Sequence, residues 1–261
     1  KNAANRGHIE SIQKYSSYLL DNNPNFLEER EALLYLKTAS DKGHIDSMFK
    51  YGLLLFKGIG CIRNKKEASK YIRIAAENNN IDALNKYAKM LFTGDGITSN
   101  KEKSIMYYKL AIEKGSTNAM NDYALILAND DSSNKEEMIE LFKTAIERGN
   151  DDALINYAEM LSKGNVIPGN KKEAINYYRT AIDKGNDKAM FNYAEMLFNG
   201  DGIQVDKEEA FKLYKMAIDK GNSDAMYSYA NALLKGDGIK QDVTEATKYF
   251  GMAFKKGNPK A

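Results

Sequence analysis

The sequence contains a single cysteine, Cys61, and only two histidines, His8 and His44. One cysteine cannot form an internal disulfide bond, and none of the asparagines begins an Asn-x-Ser/Thr glycosylation site. Both absences favour the reducing cytosol, so we predict a cytoplasmic protein. Because Cys61 has no obvious base beside it and the histidines have no third ligand in sequence, we predict no catalytic residue, no metal site and no cofactor.

Long apolar runs and a strong net charge are also absent. The longest apolar runs, 51–56 and 123–128, are far shorter than the roughly 20 residues that cross a bilayer. They predict no direct insertion into a membrane. The formal net charge of +2 is nearly neutral, which argues against a broad basic surface for nucleic acid. We therefore predict no nucleic-acid partner.

What the sequence does contain is a period of 36 residues, interrupted once by a spacing of 34. The markers of this period are Gly7, Gly43, Asn79, Gly115, Gly149, Gly185, Gly221 and Gly257. Eight residues after the first seven markers stand Tyr15, Tyr51, Tyr87, Tyr123, Tyr157, Tyr193 and Tyr229. Four residues before the next marker stand Ala39, Ala75, Ala111, Ala145, Ala181, Ala217 and Ala253. A period of this length predicts a solenoid, in which each unit contacts its neighbours.

The markers divide the chain into seven repeats, numbered 1 to 7 from the amino terminus. Their ranges are 8–43, 44–79, 80–115, 116–149, 150–185, 186–221 and 222–257. We interpret 1–7 as the end of a preceding repeat and 258–261 as the start of a further one. The whole of 1–261 is thus expected to be one repeat array, cut from a longer protein.

Each repeat is predicted to hold two helices, helix A and helix B. In repeat 6, apolar residues recur every three or four positions over 186–199 and again over 206–220, and no stretch alternates as a strand would. The marker glycine suits the left-handed residue that ends a helix, and the residue after it suits an N-cap. An Asn or Asp three residues before a Glu predicts a capping box at Asn64, Asn134, Asn170, Asp206 and Asp242.

Glycine pairs connect the two helices in the Gly-Asp-Gly-Ile segments 94–97, 200–203 and 236–239. A phosphate-binding loop needs a preceding strand and a closing Lys-Ser/Thr, and both are missing here. We interpret these segments as structural turns whose isoleucine returns to the core.

These features resemble the Sel1-like repeat family, relatives of the tetratricopeptide repeat. The resemblance covers essentially the whole chain and rests on the small residue opening helix A, the Gly-x-Gly-Ile turn, Lys-x-Glu-Ala at the start of helix B, the aromatic pairs 107–108 and 177–178, and the closing Ala-x-x-x-Gly. Repeat 1 departs at Asn22-Asn23-Pro24, and repeat 4 is two residues short at 130–133. We expect altered loops there, not altered helices. The resemblance implies an all-α, α/α superhelical solenoid of about seven helix-turn-helix repeats.

The resemblance also implies a concave groove lined by helix A, at positions 3, 6, 10, 13 and 14 after each marker. The first candidate cluster on this face comprises Phe191, Tyr227, Glu159, Glu195 and Asn231. The second comprises Phe49 and Leu53, with Asn85 and Lys89 next to them. An aromatic anchor with polar neighbours is typical of an interface hot spot. The alternative, that the rings pack on adjacent helices, stays open for Phe191 and Tyr227 and is favoured for Phe49.

We predict a non-enzymatic scaffold or adaptor that binds a peptide or protein in this groove. Two alternatives stay open: a regulatory array of a larger enzyme such as a protein kinase, and an adaptor in membrane-protein quality control. Apolar end faces, Ile9, Ile12 and Tyr15 at one end and Tyr249, Phe250 and Phe254 at the other, predict end-to-end self-association.

Overall fold

The computed structural model describes residues 8–21, 24–130 and 134–261. Across these ranges it contains fourteen α-helices and no β-strand, as the helical periodicity predicted. The helices are α1 (Ile9–Asp21), α2 (Phe26–Asp41), α3 (Ile45–Lys57), α4 (Lys65–Glu77), α5 (Ile81–Thr93), α6 (Lys101–Glu113), α7 (Thr117–Ala128), α8 (Lys135–Glu147), α9 (Asp151–Lys163), α10 (Lys171–Asp183), α11 (Asp187–Asn199), α12 (Lys207–Asp219), α13 (Ser223–Lys235) and α14 (Val243–Lys255). The departures expected at Asn22-Asn23 and at 131–133 lie outside the described residues.

The odd-numbered helices are the predicted helices A, and the even-numbered helices are the predicted helices B. The chain forms two compact units, the first ending at Tyr123 and the second starting at Ala124. Within each unit, helical hairpins of about 36 residues follow one another along the chain. The all-α solenoid is therefore confirmed. Repeats 1 and 4 keep both helices, as the sequence predicted.

The helix ends follow the predicted local rules. Each described marker glycine has a positive φ. Among the described non-glycine residues, Asn79 alone has a positive φ, of 63°. The N-cap side chains predicted for helix B accept a backbone N–H of the first turn. The reciprocal bond of a full capping box, predicted at all five of these N-caps, is not formed at any of them. At Asn64 and Asn170 the glutamate accepts from the cap's side-chain amide instead, at 3.1 and 2.9 Å.

The Gly-Asp-Gly-Ile turns join neighbouring repeats. The aspartate of each turn pairs with the first lysine of helix B in the preceding repeat. These pairs are Lys65–Asp95, Lys171–Asp201 and Lys207–Asp237. In repeat 1 the matching position holds Glu29, which accepts the backbone N–H of Gly60 at 3.1 Å. The predicted structural turn is thus also the contact that sets one repeat against the next.

The constant columns form the core, and the predicted end faces are only partly exposed. Every alanine of the repeated column is buried, six of them with no exposed surface. Ile12, predicted to lie on an end face, is instead fully buried, because it packs with Ala39 beneath Tyr15 and Tyr35. At the other end, Phe254 is 69% exposed.

Candidate functional site

The two predicted aromatic anchors, Phe191 and Tyr227, lie on helix A and are half-buried. Phe191 in α11 packs against Tyr214 of α12, with 6.3 Å between the ring centroids. Tyr227 in α13 packs edge-on against Phe250 of α14, with 5.5 Å between the centroids. One side of each ring is therefore used inside its own repeat, and only the remaining surface is available to a partner.

The polar residues of the same predicted cluster line two adjoining cavities on the helix A side of the second unit. The larger, of about 430 Å³, is lined by Glu159, Ser162, Lys163, Tyr178, Asn192, Glu195, Met196, Asn199, Gly200 and Asp201. The smaller, of about 130 Å³, is lined by Glu195, Phe198, Asn199, Tyr214, Ser228, Asn231, Ala232, Lys235 and Asp237. Glu195 and Asn199 belong to both cavities. The structure thus brings the three predicted polar residues together and leaves the two rings outside the lining.

Tyr178 and Tyr214 form the floor of these cavities, although both belong to helix B. Each is 1% exposed. The hydroxyl of Tyr214 donates a hydrogen bond to Oε1 of Glu195. The sequence analysis named neither tyrosine as a site residue. The missed signal is that a fully buried tyrosine, unlike phenylalanine, needs a partner for its hydroxyl.

The floor hydroxyls stay protonated. Burial, followed by the charge of Glu195, raises the pKa of Tyr214 far above its ordinary value. Burial and the charge of Glu159 do the same to the pKa of Tyr178, against hydrogen bonds to Asn192 and Ser162. Both tyrosines are therefore neutral at physiological pH, and the hydroxyl of Tyr214 holds Glu195 in place without adding charge.

Glu159 is the most heavily coordinated carboxylate of the larger cavity. Its Oε1 lies 2.6 Å from Nζ of Lys188 and accepts from Asn192 at 3.2 Å. Its Oε2 lies 3.4 Å from Nζ of Lys163. Burial would raise the pKa of this carboxyl, but Lys188, Lys163 and Asn192 outweigh burial and lower it. Glu159 is therefore a fixed wall of the groove.

Replacing Glu159 with glutamine is expected to lower the free energy of unfolding by about 1 kcal/mol at pH 7. The pKa of Glu159 is lower in the folded than in the unfolded chain. The stability that its carboxylate contributes is therefore fully present above the unfolded-state pKa, and it is lost as pH falls through the folded-state pKa. Urea unfolding at pH 7, 4.5 and 3 should show the difference from wild type shrinking with acid. The exposed Glu140→Gln change is the control, and a difference independent of pH would contradict this assignment.

The second predicted cluster lies in the first unit. Phe49 and Leu53 are partly buried and pack against the core cluster that contains Tyr51, Leu54 and Ile72. This position fits the alternative favoured for Phe49, that its ring packs on adjacent helices. Lys89 is exposed and lies 3.5 Å from Oδ2 of Asp122. These three residues offer a partner little open apolar surface.

A basic group that the sequence analysis missed lies beside Lys89. Nζ of Lys86 lies 3.7 Å from the ring centroid of Phe56, and Nζ of Lys65 lies 5.1 Å from the same centroid. Burial, and then the charge of Lys89, lower the pKa of Lys86, with smaller contributions from Lys57 and Lys65 against that of Asp95. Cation–π contact with Phe56 offsets part of the free-energy cost of burying the Lys86 ammonium group.

The histidine and cysteine side chains have structural partners. Nδ1 of His44 accepts the backbone N–H of Ser47 at 3.2 Å and so caps α3. Cys61 packs against the core cluster of the first unit, and burial, followed by the charge of Glu67, raises the pKa of its thiol. Over 8–21, 24–130 and 134–261, no three His, Cys, Asp or Glu side chains are grouped as a metal site.

No helix in the described part of the chain combines the length and the apolar character that crossing a bilayer requires. The described helices are 12 to 16 residues long, and their polar faces carry many of the charged residues named above.

Comparison with known proteins identifies the repeat. The Sel1 repeat family profile matches residues 28–44, 45–80, 81–116, 151–186, 187–222 and 223–258. A search of curated proteins found no match. A Sel1 repeat protein from Oxalobacter formigenes is similar in structure, with 25% identity and a TM-score of 0.80 over 94% of this chain and 99% of that one. A protective antigen of uropathogenic Escherichia coli with an SLR fold is 20% identical, with a TM-score of 0.72.

That second match covers 99% of this chain but 56% of the antigen, so the chain spans little more than half of the antigen's length. An immunity protein of Pseudomonas aeruginosa shares the fold at 16% identity, with a TM-score of 0.59 over 81% of this chain and 80% of that one. The residues without a profile match include most of repeat 4, the shortened one. Since the matched residues make up most of the sequence, the chain belongs to the Sel1 repeat family.

Proposed function

We propose that this chain is a protein-interaction scaffold whose second unit binds an extended segment of a partner protein along the helix A face, with a lysine or arginine of the partner paired to Glu195. Sel1 repeat proteins are generally scaffolds for protein interactions. What this chain adds is the chemistry of its groove, where the repeated columns vary from one repeat to the next.

The observation that carries the proposal is the state of Glu195. This carboxylate is half-buried where the two cavities adjoin, and Tyr214 fixes its orientation. In the described part of the chain no lysine or arginine forms an ion pair with it, whereas Glu159 has two such partners and Asp201 and Asp237 have one each. A fixed carboxylate without its own cation favours a cation supplied by a partner.

The other lining groups suit a polypeptide. The amides of Asn192, Asn199 and Asn231 and the hydroxyls of Ser162 and Ser228 line the two cavities on either side of Glu195. Amide side chains carry both donors and acceptors, so they match the alternating N–H and C=O groups of an extended backbone. The rigid helices hold these groups in a fixed register, which limits the ordering cost of binding to the partner's segment.

The test is selection of binding segments from a random peptide library displayed on phage, followed by calorimetry on the enriched peptides. We expect enrichment of lysine or arginine at one position. We also expect Glu195→Gln to weaken binding of those peptides at least about tenfold, because the desolvated cation loses its carboxylate. Glu140→Gln, a matched change on an exposed helix B residue, should leave the dissociation constant unchanged.

Binding should also weaken as salt is raised, since a single ion pair contributes most of the selectivity. Peptides that are enriched without a basic position, or that bind the Glu195→Gln variant as well as the wild type, would contradict the role given to Glu195.

A further inference from the structure

Repeat 6 breaks an aromatic pair that five other repeats keep. In these repeats the constant tyrosine of helix A meets a tyrosine of helix B, with 4.8 to 5.5 Å between ring centroids and interplanar angles of 65° to 88°. The pairs are Tyr15–Tyr35, Tyr51–Tyr71, Tyr87–Tyr107, Tyr157–Tyr177 and Tyr229–Tyr249. In repeat 6 the matching residues are Tyr193 and Leu213. Repeat 4 also has a leucine, Leu141, at the matching helix B position, and its Tyr123 stacks on Tyr108 of the preceding repeat.

A cavity of about 640 Å³ lies where the second ring of repeat 6 is missing. Its wall includes Tyr193 and Leu213, together with Leu197, Ile203 and Val205. Val205 marks the opening of this cavity at 52% exposed, whereas Tyr193, Leu197 and Leu213 are only 4 to 7% exposed and form its deeper wall. This cavity shares no lining residue with the two cavities that adjoin at Glu195.

Arg179 holds the tyrosine wall of this cavity in place. Its Nη2 and Nε donate to the hydroxyl of Tyr193 at 2.9 and 3.3 Å, and its guanidinium carbon lies 5.5 Å from the ring centroid. Tyr193 is therefore held by a side chain of the preceding repeat and not by a helix B ring of its own repeat. Holding an aromatic wall by a side chain from the previous repeat leaves the space open and the wall rigid.

The charge around the opening is mainly negative. Asp183, Asp206 and Glu209 line the cavity, and Arg179 is the cation among its lining residues. Arg179 is engaged with Tyr193, and Glu209 lies 3.4 Å from Lys212 of its own helix. Asp183 and Asp206 have no ion-pair partner in the described part of the chain. An occupant that brings a positive charge next to an aromatic ring is therefore favoured over one that brings a negative charge.

We propose that this cavity is a second binding site, which takes a tyrosine or phenylalanine side chain of a partner protein with a lysine or arginine beside it. The five intact pairs show what fills this space in the same fold: a phenol ring meeting the constant tyrosine edge-on. Such a pair contributes beyond its buried area. The two carboxylates at the opening then select the basic neighbour.

The site is tested with two small probes, N-acetyl-Tyr-Arg-amide and N-acetyl-Tyr-Glu-amide, titrated into the protein while methyl and aromatic NMR signals are followed. We expect saturable shifts at Tyr193, Leu213 and Val205 with the arginine probe, and about threefold weaker binding of the glutamate probe. Shifts scattered over the surface, or equal affinity for both probes, would overturn the proposal.

The decisive variant is Leu213→Tyr, which restores the ring that five other repeats carry. It should fold at least as well as the wild type, as judged by the midpoint of thermal unfolding, and raise the dissociation constant of the arginine probe at least about tenfold. Leu234→Tyr, at a 40% exposed position of α13, is the matched control and should bind like the wild type. Probe binding that survives in a folded Leu213→Tyr protein would rule out the cavity.

The outcome is independent of the groove. Glu195→Gln should leave binding of the arginine probe unchanged, because Glu195 does not line this cavity. Loss of probe binding in that variant would show that the probe reports on the groove, and would contradict a second site.

Discussion

Replacing Gly96 with alanine is expected to lower the free energy of unfolding by about 3 kcal/mol, as the sum of two penalties. Gly96 has a φ of 84°, a conformation that costs an L-residue about 1 to 2 kcal/mol. A Cβ atom there would lie 2.7 Å from the carbonyl oxygen and 2.8 Å from the Cβ of Lys65. Overpacking of this kind typically costs a further 1 to 3 kcal/mol or so.

The neighbouring contacts explain why the turn cannot move away at little cost. Asp95, beside Gly96, lies 2.6 Å from Nζ of Lys65, so shifting the turn outward would stretch the ion pair that joins repeats 2 and 3. Gly43→Ala is the control in the same unit, since Gly43 has a φ of 85° and nothing within 4 Å of an added Cβ. It should cost about 1 kcal/mol.

Urea unfolding followed by far-UV circular dichroism measures both glycine variants. Equal destabilisation by the two changes would show that the close approach to Lys65 is unimportant, and that the turn glycine is required for its backbone conformation alone. The larger loss at Gly96 would establish the turn as a contact between repeats.

Tyr214→Ala is expected to lower the free energy of unfolding by about 4 kcal/mol, whereas Tyr214→Phe should cost about 1 kcal/mol. The ring is 1% exposed and lies 6.3 Å, between centroids, from each of Phe191, Phe198 and Phe211. Alanine leaves a cavity among these rings. Phenylalanine keeps the packing and removes the hydroxyl, with its hydrogen bonds to Glu195 and Ser228.

The phenylalanine variant separates stability from binding. Without the tyrosine hydroxyl, Glu195 is no longer held at the junction of the two cavities, so peptides selected by the groove should bind about tenfold more weakly to a protein that is still folded. Calorimetry at 25 °C and urea unfolding of Tyr214→Phe, Glu195→Gln and the double variant give the coupling between the two residues. Additive effects on binding would show that Tyr214 does not position Glu195.

The structure brings some of the predicted groove residues together and separates others, for reasons that differ between the residues. Glu159, Glu195 and Asn231 could be predicted because they occupy variable columns on one helical face. Phe191 and Tyr227 share that face, yet helix B of their own repeats supplies a ring to each. Whether a half-buried ring meets a partner or a neighbouring helix depends on the helix packed beside it, which spacing along one helix does not reveal.

By itself, the sequence determined the features that arise from local hydrogen bonding and helical periodicity. The 36-residue period, the two helices of each repeat, the left-handed markers and the N-caps all depend on residues a few positions apart. The tertiary structure decided which side chains meet across 19 to 31 residues, as in Tyr214 with Glu195, Lys65 with Asp95 and Gly60 with Glu29. Those contacts depend on how the helices pack in three dimensions. The groove floor and the cavity of repeat 6 could therefore not be predicted from the sequence and were found only in the tertiary structure.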